Sequence, residues 1–127
     1  MENFKEMRYT DKVSYLWNLS CIGDSETLEN IFDEYNSMCN VRYEKFGIKH
    51  SYIMAAYRNG NFDTVDLLIQ IGGNIEEHEK AEIESYINKK RIEILEQIVI
   101  EIISSETDTD LIKRLFKRLE QYRNLLN

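Results

Sequence analysis

Apolar residues recur along most of the chain at steps of three and four, the spacing of helices that bury one face. The pattern is sharpest between residues 51 and 69. Ile53, Ala56 and Tyr57 share one face of a short helix, and Phe62, Val65, Leu68 and Ile69 share one face of a second. Asn59-Gly60-Asn61 lies between them, where glycine supplies the left-handed conformation that closes a helix. Gly72-Gly73-Asn74 stops the second helix and opens a turn. The segment therefore predicts two short helices joined tightly, a pair too small to bury its own apolar face.

The same pattern appears earlier. Residues 14–32 align with residues 51–69 at an offset of 37 positions: Ser14 and Tyr15 with Ser51 and Tyr52, Leu16 with Ile53, Gly23 with Gly60. Further along, Glu26 aligns with Asp63, Thr27 with Thr64, Leu28 with Val65 and Ile31 with Leu68. A fainter copy, residues 81–99, follows 30 positions later, with Ile83 for Ile53, Leu95 for Val65 and Ile98 for Leu68, but with Lys90 where the glycine stood. Helix pairs that cannot stand alone gain a core by stacking on one another, so repetition at this period predicts a solenoid.

Here the residues resemble a known family. The run 56–75, with Ala56, Gly60, Asn61, Phe62, Asp63, Val65, Leu67, Leu68, Gly72, Gly73, Asn74 and Ile75 in place, resembles the second half of an ankyrin repeat. The first copy resembles a divergent N-terminal unit of that family. The resemblance implies an all-α solenoid of about three helix-hairpin repeats, over residues 12–47, 48–78 and 79–104, in a single domain of 127 residues. The family's Thr-Pro-Leu-His opening is replaced by Ser51-Tyr52-Ile53-Met54, where Ser51 still serves as an N-cap. Spacings of 37 and 30 straddle the family's repeat length of about 33. They predict a distorted or missing β-hairpin finger at both connections.

The last segment does not repeat. After a polar break at 104–110, Leu111, Leu115, Leu119, Tyr122 and Leu126 form one stripe of a helix over 107–127, with Thr107 and Asp110 spaced as a capping box. Such a helix is placed to cover the last repeat, and residues 1–12 to seal the first.

Charge alters this picture in one respect. The chain carries a formal −7, but residues 109–127 hold five basic and two acidic side chains, leaving −10 on the preceding 108. An acidic body repels phosphate, so nucleic acid is not an expected partner, and basic surfaces are favoured instead. Lys113, Arg114, Lys117 and Arg118 form a stripe that reads either as a solvated face or as a docking strip for an acidic partner. No run approaches the roughly 18 apolar residues a membrane span needs, and the stretch MENFKEMRYTDK lacks an apolar signal core. Cys21 and Cys39 do not form a C-x-x-C and read as reduced thiols, which points to the cytoplasm.

Candidate chemistry is sparse. His78 lies among Glu76, Glu77 and Glu79, without a second ligand group at helical spacing, so no metal site is expected. Neither cysteine has a histidine near it in sequence, and no glycine-rich phosphate loop follows a strand, so neither catalysis nor a cofactor is expected. The expected function is binding to another protein. In the ankyrin family the recognition surface is the concave face made by first-helix ends and their lead-in loops. Carried over, this singles out Cys21, Ile22, His50, Arg58, Asn59, Asn88 and Lys89. Phe46, in the connection 40–49, reads equally as a protruding anchor or as a residue folded back on the core. About three repeats is near the minimum for stability, so the ends must be sealed or a homodimer formed. A Pro-free composition rich in Asn, Ile, Lys and Glu resembles stand-alone ankyrin proteins of large DNA viruses or intracellular bacteria, implying a host-directed effector or inhibitor in the host cytoplasm. The alternative is an acidic helical inhibitor that mimics nucleic acid.

Overall fold

Helix closure is repeated at equivalent places, and this organises the first part of the molecule. The computed structural model describes residues 4–127, and the chain divides into two compact units, Met1–Glu79 and Lys80–Asn127. In the first unit, α1 (Tyr9–Ile22) and α2 (Ser25–Glu34) form one hairpin, and α3 (Tyr52–Arg58) and α4 (Phe62–Gln70) form another. Gly23 and Gly60 both have positive φ, 78° and 75°. The residues after them close the helix in the same way, Asp24 N–H donating to Leu19 O and Asn61 N–H to Ala56 O. A third such closure ends α4, where Gly73 N–H donates to Leu68 O beside Gly72 at φ 104°.

The two hairpins lie side by side, α1 against α3 and α2 against α4. Their shared core is aliphatic with two rings: Leu16, Leu28, Phe32, Tyr52, Ile53, Met54, Ala56, Val65, Leu68 and Ile69 are almost fully buried. Ala55 and Ala56 keep α3 thin enough for close approach on both sides. Polar ties cross the same seam. Asn61 does not cap α4 with its side chain but donates through Nδ2 to Cys21 O at 2.7 Å, and the Ser25 and Thr64 hydroxyls share a 2.7 Å hydrogen bond. A Cβ on Gly23 would sit 2.7 Å from Asn61 Cγ, so this glycine serves both the turn and the clamp. Of the segment 1–12 expected to seal the first hairpin, residues 1–3 lie outside the described residues. Phe4 is buried beside Tyr15 and Tyr35, with Lys12 Nζ 5.4 Å from its ring.

The connection between the hairpins corrects one expectation. After a 3-10 turn, Asn36–Asn40, the chain forms a regular finger: β1 (Tyr43–Lys45) pairs antiparallel with β2 (Ile48–His50), with Tyr43 opposite His50 and Lys45 opposite Ile48. The longer spacing is therefore used to build the finger rather than to lose it. After the second hairpin, residues 71–76 carry no strand, as expected there.

Two polar groups hold this loop region. Arg42, its side chain 13% exposed, donates from Nε to Glu76 Oε2 at 2.7 Å, from Nη1 to Asn40 O, and from Nη2 to Asn74 Oδ1. Asn40 completes the lashing, accepting from Asn74 N–H and donating to Gly72 O. The hydrogen bond from Arg42 holds the Glu76 carboxyl below its ordinary value of 4.5. A lowered folded-state value makes the contribution present above the ordinary carboxylate range and lost as pH falls through the lowered value. Arg42→Ala is thus expected to cost about 2 kcal/mol at neutral pH and to flatten the acid limb of stability below pH 4.5, read by urea titration across pH.

The second unit is a helical hairpin, α5 (Lys80–Ile103) and α6 (Thr109–Leu125). It corrects the expectation of a third short-helix pair. Asn88, Lys89 and Lys90 continue the helix, because none supplies the left-handed closure that Gly23 and Gly60 give. The cap of α6 also differs. Asp108, not Thr107 with Asp110, accepts from Leu111 N–H, and Asp108 N–H in turn donates to Glu101 Oε1. Leu115, Tyr122 and Leu125 are buried along α6, and Lys80 Nζ donates to Asn127 O, so the end of α6 returns to the start of α5. Among the described residues no helix is long and apolar enough to cross a membrane.

Candidate functional site

The finger stands against α1. Trp17, on α1, stacks on Tyr43 of β1 with centroids 4.5 Å apart and rings within 14° of parallel. The separation of the two residues along the chain gives no hint of this pairing. Tyr43 is the register partner of His50, whose ring lies 5.8 Å from Trp17 and 6.1 Å, edge-on, from His78. All of Trp17, Tyr43 and His50 are half-buried, and His78 is exposed, so the group forms a shelf rather than a core.

Hydrogen bonds fix the two imidazoles. The Arg58 guanidinium can only donate, so at 3.3 Å from His50 Nδ1 it makes that nitrogen the acceptor. His78 Nε2 lies 2.8 Å from Lys49 O, a carbonyl that can only accept, so there the imidazole donates. Both histidines are thus oriented by backbone or cationic partners. At the finger's tip, Phe46 is 91% exposed and Lys45 Nζ sits 5.6 Å from its ring. Phe46 and Gly47 both have positive φ, 54° and 77°. Two consecutive left-handed residues suit the tight turn of a two-residue hairpin, where Asn-Gly is the usual choice. A bulky ring there is held against its backbone preference, a feature associated with functional positions. Of the two places the sequence allows for this ring, the fold selects the protruding one.

The remaining expected residues fall in three places. Cys21 and Asn59 meet near the ends of α1 and α3; Asn59 Nδ2 donates to Ala55 O, and the Cys21 carbonyl accepts from Asn61. Ile22 is 71% exposed at the end of α1. Asn88 and Lys89 do not sit at a first-helix end, because α5 runs through them; Asn88 Oδ1 accepts from Arg91. Trp17, Tyr43 and His78 are the residues that sequence reasoning does not assign to the surface group.

Burial pushes the Cys21 and Cys39 thiols up, which disfavours the nucleophilic thiolate. Among the described residues no three or more metal-ligating side chains gather. The shelf offers flat aromatic area beside the Arg58 guanidinium, with Lys45 at the finger's tip, a combination suited to apolar and carboxylate side chains of a partner. Compared with protein-family models, curated proteins and solved structures, the chain matches none.

Proposed function

We propose that the first unit is a short, divergent ankyrin-type stack and that the chain works by binding a partner protein through the finger and the shelf behind it. Phe46 is the projecting anchor. Trp17, Tyr43 and His50 form the flat area on which a partner's apolar side chains lie, and Arg58 meets its carboxylates. The observation that carries this reading is the tip itself: a phenylalanine 91% exposed and held at φ 54° gains nothing for folding from its position. Exposed aromatics of this kind dominate the energy of protein interfaces. Within the finger, Lys45 and Lys49 outnumber Glu44, which favours this reading over mimicry of nucleic acid by the acidic body. By analogy with the ankyrin proteins the composition resembles, the partner is a host protein and the setting the host cytoplasm.

The test is affinity capture from cell lysate with wild type, Phe46→Asn and Arg58→Glu, followed by titration of the captured protein. Asparagine accepts the left-handed conformation better than phenylalanine, so Phe46→Asn keeps or slightly raises stability. Each variant is expected to weaken binding about 30-fold, the loss of roughly 2 kcal/mol typical of an interface anchor. Unchanged binding by both, with loss on neutralising Asp and Glu residues elsewhere, would select the mimic instead.

A further inference from the structure

Helix α5 has two apolar faces, and only one is used within the chain. Ile83, Ile87, Ile94 and Ile98 are buried, whereas Ile92, Leu95, Val99 and Ile102 are 57%, 46%, 56% and 56% exposed. The exposed set recurs at alternating steps of three and four residues. The same register continues toward the start of the helix through Asn88, Ser85 and Ala81. That is a heptad repeat with β-branched Ile92 and Val99 at one core position and Leu95 and Ile102 at the other, the arrangement of a two-stranded coiled coil. Ile92, Leu95, Glu96, Val99 and Ile100 line a shallow groove of about 400 Å³ along it, and apolar patches of this kind mark interaction sites.

We propose that this stripe is the interface for a second copy of the chain, with the two α5 helices parallel about a two-fold axis. The flanking charges carry the choice of partner and direction. In a parallel pair, the residue before each first core position meets the residue five places further along the other helix. Glu84 then meets Lys89 of the second copy and Arg91 meets its Glu96, each contact made twice by symmetry. All four pairs are attractive, and Asn88 meets Asn88, a polar match that fixes register. Antiparallel pairing cannot satisfy both requirements. The register that brings the four apolar residues together sets Glu96 against Glu96 of the other copy. The register that pairs Lys89 with Glu96 sets Val99 against Asn88 and Ile102 against Ser85. Glu84, Lys89 and Glu96 are all exposed and face solvent in the single chain. The stripe belongs to the second unit and the finger to the first, so neither proposal depends on the other.

The experiment is light scattering on the full chain across a range of concentrations, with helicity checked by circular dichroism. Wild type is expected at twice 15.2 kDa, and the Leu95→Glu, Val99→Glu double variant at 15.2 kDa with helicity unchanged. Lys89→Glu turns an attractive pair into a repulsive one at two symmetric places and is expected to weaken the dimer about tenfold. Adding Glu84→Lys restores the pairing only in the parallel arrangement; in the antiparallel one it does not. A wild type that stays monomeric at the highest concentration, or a double charge swap that fails to recover the dimer, overturns the proposal.

Discussion

Replacing Glu79 with alanine is expected to destabilise the first unit by about 3 kcal/mol, since two backbone donors lose their acceptor at once. The Glu79 carboxylate is fully buried. One oxygen accepts from Ser51 N–H at 3.1 Å and the other from Glu76 N–H at 2.8 Å. Ser51 is the N-cap of α3 and uses its own hydroxyl to accept from Met54 N–H, and Glu79 takes one of the donors that the cap leaves over, Ser51 N–H. A buried donor left unpaired costs about 1–3 kcal/mol. Glu79→Gln retains one oxygen of the pair and should fall between wild type and alanine. Urea unfolding followed by the fluorescence of Trp17, the one tryptophan and a residue of the first unit, reads this directly. A loss below about 1 kcal/mol would mean the carboxylate is not the support of α3 that the geometry describes.

Tyr52→Ala is expected to cost more, about 3–5 kcal/mol, the usual range for emptying a large aromatic site in a core. Tyr52 is 1% exposed at the start of α3, with its ring 6.5 Å from that of Phe32 on α2 and its hydroxyl 3.5 Å from Val13 O on α1. One side chain thus fills the space where both hairpins meet. Burial pushes its hydroxyl pKa well above the ordinary tyrosine value, so the ring enters the core neutral. At 3.5 Å the hydroxyl bond is long, and Tyr52→Phe should cost under about 1 kcal/mol. The contrast between the two variants, measured by the same unfolding assay, separates packing from hydrogen bonding. Equal losses would place the stabilisation in the hydroxyl and contradict the packing account.

The helix pairs of the first unit are legible in the sequence because their signals are local. Gly23 and Gly60 mark closures that few other residues make, and the apolar steps around them repeat at a fixed offset. The finger is less legible because its turn is Phe46-Gly47 rather than Asn-Gly, so nothing at the tip announces a hairpin. Helix α5 is hidden for the opposite reason. Aliphatic matches at Ile83, Leu95 and Ile98 suggest a third pair, although Lys90 stands where a turn needs glycine, and a long helix satisfies the same spacing. The shelf depends on distant partners: nothing near Trp17 in the sequence points to Tyr43, which stacks on it. Glu79 stands among the acidic residues around His78, and only the fold reveals the two N–H groups that draw it inside.

The most direct test of the recognition face uses Trp17 once a partner has been captured. Its ring stacks on Tyr43 at the base of the finger and is only half-buried. Acrylamide quenching of Trp17 should fall as partner is added to wild type, and should stay at the free value for Phe46→Asn at the same partner concentration. Quenching that is unaltered at saturating partner, with the complex formed, would place the contact elsewhere on the chain and contradict the account.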